Sequence, residues 1–358
     1  TRGVDVISLG VGDPDVPPDP RLRDRLATEV LRDDAARYPT NRGEHDLREA
    51  VAEHYRDRFG VVVDPEREVL PLLGAKEGIA HLALAVLDPG DAALVADPGY
   101  PVYATGPRLA EADAVPLPLL PDHGYQPDLE GIAAADLARA RLLVLGYPNN
   151  PTGAMAHPGL FDELGAVAER HELLACHDHA YAELAFGPEP APSALASPAF
   201  RARGIEVLSL SKTWSIPGWR VAFAVGDAEA IAGLHRLKTQ VDAGMFPALQ
   251  RTAAWALRQS DPAEEARQRY RERRDAACAA LAAIGMPVEP PAGGMYLWVP
   301  VPTGEPCEEL SVRLLDEAGV VVTPGTAYGA AGRGHVRIAL TVPEDRLLEA
   351  VRRIGAVL

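Results

Sequence analysis

The sequence predicts an α/β fold with a largely parallel sheet and a second, smaller α/β lobe, on three observations. Short apolar runs alternate with helical patterns through the middle of the chain. Residues able to do chemistry recur at the ends of those runs, where ligands bind in open α/β sheets. A Pro/Gly cluster, Pro287 to Gly294, then sets apart a final group of strands and helices.

Composition narrows the class. At 358 residues the chain is too long for one small core and suits two lobes. Its hydrophobic content of 47% and charged content of 24% are those of an ordinary soluble globular protein. No apolar run approaches the roughly 18–20 residues of a membrane span. A formal net charge of −16 argues against nucleic acid as a partner, so anionic ligands must be held by a few local cations. Cys176, Cys278 and Cys307 are scattered, without disulfide or zinc spacing, and no secretory signal is visible; a reducing cytoplasm is expected. The chain starts at Thr1 without a methionine, and an N-terminal segment is expected to be missing.

Taken in order, Val4–Leu9 is an apolar strand followed by G-V-G-D-P-D, Gly10 to Asp15. Pro14 and the lack of a helix there disfavour a dinucleotide loop; a glycine turn close to a ligand fits better. The Pro/Asn/Gly loop Ala36 to Gly43 carries Tyr38 and Arg42. Leu47, Val51, Tyr55 and Phe59, four apart, predict an amphipathic helix over 44–59. Val69–Leu73 is a strand, Gly74-Ala75-Lys76 a turn, and Glu77–Leu87 a helix. Such a junction can hold an anion through free N–H groups, or be an ordinary turn. Strands follow at Ala92–Ala96, ending near Tyr100, and at Arg141–Leu145, ending in Y-P-N-N-P-T-G with Asn150. Pro158–His171 is a helix and Leu173–His177 a strand ending in Asp178.

The strand Ile205–Leu210 delivers Ser209, Ser211 and Lys212, and a loop leads to Arg220 and a further apolar run to Gly226. Helices are expected at Ala228–Leu237, Ala248–Arg258 and from about Pro262 to Ile284. The charge run Arg267 to Arg274 is expected to be a solvated face. Beyond the Pro/Gly cluster come strand Met295–Val299, helix Cys307–Ala318, strands Val320–Thr323 and His335–Leu340, and a closing helix.

A lysine at the mouth of a buried strand is costly unless paired, deprotonated or used covalently. With two hydroxyls beside it and an arginine eight residues on, Lys212 suits an amine that attacks a carbonyl while Ser209, Ser211 and Arg220 bind a phosphate. That is the chemistry of pyridoxal 5'-phosphate held as a Schiff base; a surface lysine at a strand end is the alternative. The cofactor works best with its pyridine nitrogen protonated, which a buried carboxylate favours, and Asp178 is the candidate. Tyr181 and Asn150 can donate to the cofactor's phenolic oxygen, and Tyr100 can stack on its ring. Arg337, in V-R-I-A-L, offers a fork for a substrate carboxylate, or else a surface ion pair. His177 and His179 share the strand face opposite Asp178 and are expected in the core; no metal site is expected. Hydrolase and P-loop motifs are absent from the sequence.

Seven motifs stand in one order: L-G-V-G-D-P-D, R-Y-P-x3-G, G-A-K-E-G-I, D-P-G-Y-P-V-Y, Y-P-N-N-P-T-G, the Asp178/Tyr181 pair and S-L-S-K-T-x4-G-W-R. By these the chain resembles, essentially end to end, class I/II aminotransferases of pyridoxal-phosphate fold type I. It is most similar to LL-diaminopimelate aminotransferases and their bacterial relatives. The resemblance implies a mostly parallel seven-stranded sheet sandwiched by helices in a large domain, residues 36–258, with the small domain built from 1–35 and 259–358. It implies a ping-pong amino transfer to a 2-oxo acid such as 2-oxoglutarate, with Lys212, Asp178 and Tyr181 catalytic. Ala75 and Lys76 would lie at the cofactor phosphate, and Tyr38 would reach the partner subunit's cofactor in a homodimer with shared sites. Gly12, Asn150 and Arg337 would hold the substrate carboxylate, and Tyr296 would line its pocket.

Two departures stand out. Ala75 replaces a phosphate-binding Ser or Thr, and Arg42 replaces a glutamate that meets a distal ammonium. An arginine there would favour a dicarboxylic or N-acylated substrate over LL-diaminopimelate, unless it points to solvent. A lyase, oxidase or cyclase using the same cofactor, or a cofactor-binding sensor domain, are the competing readings.

Overall fold

The computed structural model describes residues 3, 5–259, 263–302 and 304–358. Its strands are β1 (Ile7–Ser8), β2 (Val69–Leu72), β3 (Ala92–Asp97), β4 (Asp113–Pro118), β5 (Ala140–Leu145), β6 (Leu174–Asp178), β7 (Gly204–Ser209), β8 (Ala222–Gly226), β9 (Tyr296–Pro300), β10 (Val320–Val321), β11 (Thr323–Pro324) and β12 (His335–Ala339). Seven of them form one sheet in the order β2-β8-β7-β6-β5-β3-β4. Only β8 runs against its neighbours; every other pairing in that sheet is parallel. Helices such as Ala75–Val86 and Leu160–Arg170 pack on the sheet, so β2, β3, β7 and β8 are buried at every position. Continuous apolar runs are what parallel strands covered on both faces require.

A second apolar cluster gathers Ile7 and Leu9 with Tyr270, Leu281, Leu297, Ile338 and Val351. It surrounds the three-stranded sheet β11-β12-β9 and the pair β1-β10. Leu22, on the helix Pro20–Val30, joins the larger cluster instead.

The expected elements recur with shifted ends. The helix His45–Phe59 buries Leu47, Val51 and Tyr55 as its period predicts. The helix after β2 begins at Ala75 and not Glu77, so the N–H groups of Ala75 and Lys76 open its first turn. The expected strand end Val4 and helix start Pro262 lie outside the described residues; the long helix covers Glu264–Ala283.

Other expectations need correction. Residues 307–318 are not one α-helix: Cys307–Arg313 is followed by a π turn over Leu314–Ala318. The segment 320–323 divides into β10 and β11, which join different sheets. β4 was not anticipated, because an edge strand with prolines at 116 and 118 and only Leu117 buried has no strand-like pattern. The run Arg267 to Arg274 is not uniformly solvated. Arg267 and Arg273 are buried; Arg273 pairs with Asp15 at 2.8 Å and Arg267 with Glu264 at 2.6 Å. A guanidinium can leave water when its donors are met by carboxylates.

Candidate active site

The C-terminal ends of the parallel strands face the small lobe across a cavity of about 450 Å3. It is lined by Gly12, Ala75, Lys76, Tyr100, Asn150, Asp178, Tyr181, Ser209, Ser211, Lys212, Arg220, Tyr296 and Arg337. Residues spread over more than three hundred sequence positions thus meet in one place, as the sequence predicts.

Lys212 sits just beyond β7, on the short helix Leu210–Thr213. Its Nζ donates to the carbonyl of Gly12, from the loop after β1. Burial makes the ammonium less favourable and lowers the pKa of Lys212, as nucleophilic use of the amine requires. Gly12 is needed here: a Cβ would come within 1.8 Å of the Tyr296 hydroxyl oxygen.

Opposite Lys212 lies an anion cradle. Ser209 Oγ donates to Ser211 Oγ at 3.0 Å and accepts the Ser211 N–H at 3.2 Å. Arg220, in left-handed backbone at φ 57°, brings its guanidinium against Gly74. Gly74 itself has φ 99°, and a Cβ there would sit 1.9 Å from an Arg220 nitrogen. Two hydroxyls, a guanidinium and the N-terminus of a twelve-residue helix converge, a donor set that fits a phosphate dianion even though Ala75 offers no hydroxyl.

At the far wall Asp178 is almost completely buried, and burial pushes its carboxyl up to about 6. Two donors oppose that shift: the Tyr103 hydroxyl at 2.9 Å and the Ala180 N–H at 3.3 Å. Tyr103 was not singled out from the sequence, although it closes the D-P-G-Y-P-V-Y motif; it lies three residues after Tyr100, in the first turn of the helix Val102–Leu109. His177 and His179, on the other face of β6, do not reach the cavity lining. Both close on Glu206 of β7, with ring nitrogens 2.9 Å and 3.1 Å from its oxygens. Burial opposes ionisation of Glu206, but the two imidazoles hold its carboxyl well below the usual range.

Arg337 of β12 lies between the rings of Tyr296 and Tyr328, 3.9 Å and 4.8 Å from their centroids. It donates to Asn150 Oδ1 at 3.0 Å and to the carbonyl of Gly10 at 2.7 Å. The first bond orients the Asn150 amide, leaving its NH2 group to donate to a ligand. The hydroxyls of Tyr181 and Tyr296 are 3.1 Å apart, and burial raises the Tyr181 phenol far above its ordinary range. A neutral Tyr181 phenol is able to donate a hydrogen bond. The cavity combines an amine, a buried carboxylate, phenol and amide donors and a phosphate-compatible donor set, a combination that fits pyridoxal phosphate.

Two expected residues are not in this cavity. Tyr38 is 90% exposed on the loop before Gly43. Arg42 is not among the lining residues: its guanidinium donates to the carbonyl of Glu66 and lies near the carboxylates of Glu66 and Asp64. The turn closed by the Gly43 N–H on the Thr40 carbonyl directs Arg42 toward that segment. The sequence shows the charge of this residue but not the turn that aims it.

Comparison with known proteins agrees with this geometry. The family model for aminotransferase class I and II matches residues 4–354. The LL-diaminopimelate aminotransferase of Moorella thermoacetica is 43% identical over 360 residues, a match covering 100% of this chain and 92% of the relative. Among solved structures, substrate-bound BacF of Bacillus subtilis superposes with a TM-score of 0.96 at 38% identity, covering 99% of this chain and 91% of that one. A "probable N-succinyldiaminopimelate aminotransferase" of Thermus thermophilus gives 0.94 at 36%, covering 100% and 96%. Fold and site together define a pyridoxal-phosphate-dependent enzyme of fold type I. The chain belongs to the class I and II aminotransferases, and the lyase, oxidase, cyclase and sensor readings are not favoured.

Proposed function

We propose that this aminotransferase exchanges an amino group between a dicarboxylic or diaminopimelate-type amino acid and a 2-oxo acid such as 2-oxoglutarate. The observation that carries the reading is one cavity with Lys212 on one wall and the doubly bonded, ring-flanked Arg337 on the other. Pyridoxal phosphate, when bound, supplies an electron sink for the negative charge left when a proton leaves the substrate Cα. Asp178 would keep a positive charge at the pyridine nitrogen; Ser209, Ser211, Arg220, Ala75 and Lys76 would hold the phosphate, and Tyr100 would cover the ring. Asn150 and Tyr181 would donate to the phenolic oxygen. Arg337 and Gly12 would fix the α-carboxylate so that the Cα proton faces Nζ of Lys212, which would take that proton and deliver it to the cofactor carbon C4′ on the other side of the amino nitrogen. Tyr296 borders the side-chain space.

The name of the Moorella relative supports a diaminopimelate-type substrate. Arg42 does not oppose it within this cavity, since it is absent from the lining and its guanidinium is bonded to the Glu66 carbonyl. The exposure of Tyr38 supports a homodimer in which that residue completes the partner's phosphate site. A cytoplasmic setting accords with three free, buried cysteines, and among the described residues no helix is long and apolar enough to cross a membrane.

A panel of amino donors, each added to the cofactor-loaded protein and followed by the cofactor's absorbance, tests the reading. LL-diaminopimelate and glutamate should convert the cofactor to its amine form, and Lys212→Ala should abolish the conversion. Conversion only by monocarboxylic donors would overturn the substrate class.

A further inference from the structure

The loop after β3 and the loop after β11 meet in a contact that none of the roles above explains. Asp97, the last residue of β3, is 8% exposed and turns its carboxylate toward the small lobe. Oδ2 accepts the N–H of Ala330 at 3.1 Å and Oδ1 that of Ala331 at 3.0 Å. Gly329 lies flat over the same carboxylate: its φ is 127°, and a Cβ would come within 2.1 Å of Asp97 Oδ1. Two residues on, the Gly99 N–H donates to the carbonyl of Tyr328 at 2.9 Å.

Three hydrogen bonds therefore tie residues 97–99 to 328–331. Each segment adjoins a wall of the cavity. Tyr100 succeeds Gly99 directly, and the ring of Tyr328 lies 4.8 Å from the Arg337 guanidinium. A shift of either loop would change the distance between Tyr100 and Arg337, and so between the ring of a bound cofactor and the carboxylate of a bound substrate.

We propose that Asp97 is a positioning residue that fastens the Tyr100 loop of the large lobe to the Tyr328 loop of the small lobe and so sets the register of Arg337 against the cofactor. This rests on the reading of Arg337 as the carboxylate anchor. Asp97 touches neither ligand; its carboxylate acts through two backbone N–H groups that a neutral side chain could not bind as strongly. An apolar residue here would leave both N–H groups without a protein partner.

Hydrogen exchange of the cofactor-loaded protein and steady-state kinetics test the proposal together. In Asp97→Ala the amides of Ala330 and Ala331 should exchange at least about tenfold faster, while Val336 to Ala339 keep their protection. KM for L-glutamate should rise about tenfold with kcat within about threefold and the cofactor's absorbance unchanged. Asp97→Asn, which keeps one acceptor, should lie between. Gly329→Ala, which pushes on the carboxylate from the other side, should reproduce the KM effect even if Asp97→Ala folds poorly. Unchanged protection in both Asp97 variants, or a fall in kcat with KM unchanged, would overturn the proposal. Arg337→Lys separates the underlying reading: if it leaves KM unaltered, Arg337 is not the anchor, while the exchange result still decides whether Asp97 fastens the loops.

Discussion

The hydroxyl of Tyr103 donates to Oδ2 of Asp178 at 2.9 Å, inside a wall where both residues are buried. The bond joins the helix after β3 to the end of β6 and is the strongest local influence favouring the ionised carboxylate. Removing it should be felt in the titration of Asp178. In Tyr103→Phe the lost charge-assisted bond, about 1.5–3 kcal/mol, should raise the Asp178 pKa further by about 1–2 units. In cofactor-free protein the Asp178 limb of the Tm-against-pH curve should move to higher pH by a comparable amount. An unmoved limb would mean that Asp178 does not depend on Tyr103.

Asp178 also links stability to pH. Its carboxyl in the cofactor-free fold titrates near 6, above the ordinary value of 3.8, so between these values the folded state holds more protons than the unfolded one. Stability from this group is therefore complete below about pH 4 and lost as pH rises through about 6. Asp178→Asn should flatten that part of the Tm-against-pH curve in cofactor-free protein. In loaded protein the same variant should retain the cofactor and lose at least about a hundredfold in kcat. Near-normal turnover would remove Asp178 from the role assigned to it.

Gly74→Ala tests the phosphate cradle. The added methyl must displace Arg220 from its place 1.9 Å away, and φ 99° penalises any side chain. Cofactor affinity should fall at least about tenfold, measured by equilibrium dialysis, with smaller loss of Tm once cofactor is saturating. An affinity unchanged within about twofold would show that the cradle does not use Arg220.

Arg42→Glu asks whether the loop 36–43 enters an active site. Because Arg42 is bonded to the Glu66 carbonyl, the ratio of kcat/KM for LL-diaminopimelate and glutamate should stay within about threefold of the parent protein. A tenfold gain for the diamine would place Arg42 in the cavity of a partner subunit.

Much of the site was legible because its chemistry is written in residue types at strand ends. Lys212, Asp178, Asn150, Ser209, Ser211 and Arg220 needed only the alternation of apolar runs and turns to be assigned to one edge. Tyr103 was harder: a tyrosine in the first turn of a helix carries no mark of which carboxylate it meets. Asp97 was harder still, since an aspartate before proline reads as a turn residue. Arg267 and Arg273 were misread as solvated because charge alone does not reveal what a guanidinium meets; Asp15, the partner of Arg273, is more than two hundred and fifty residues away.

The sequence by itself determined the α/β class, most of the central strands and the cofactor chemistry, because strand periodicity and local motif act over a few residues. Tertiary structure decided which groups hold those residues in place. It bonded the Asn150 amide oxygen to Arg337, set Tyr103 on Asp178, fastened Asp97 to the segment 330–331 and directed Arg42 to Glu66. Each of these contacts joins distant segments whose approach is fixed by core packing, and hydrogen bonds report an approach measured in tenths of an ångström that no local pattern encodes.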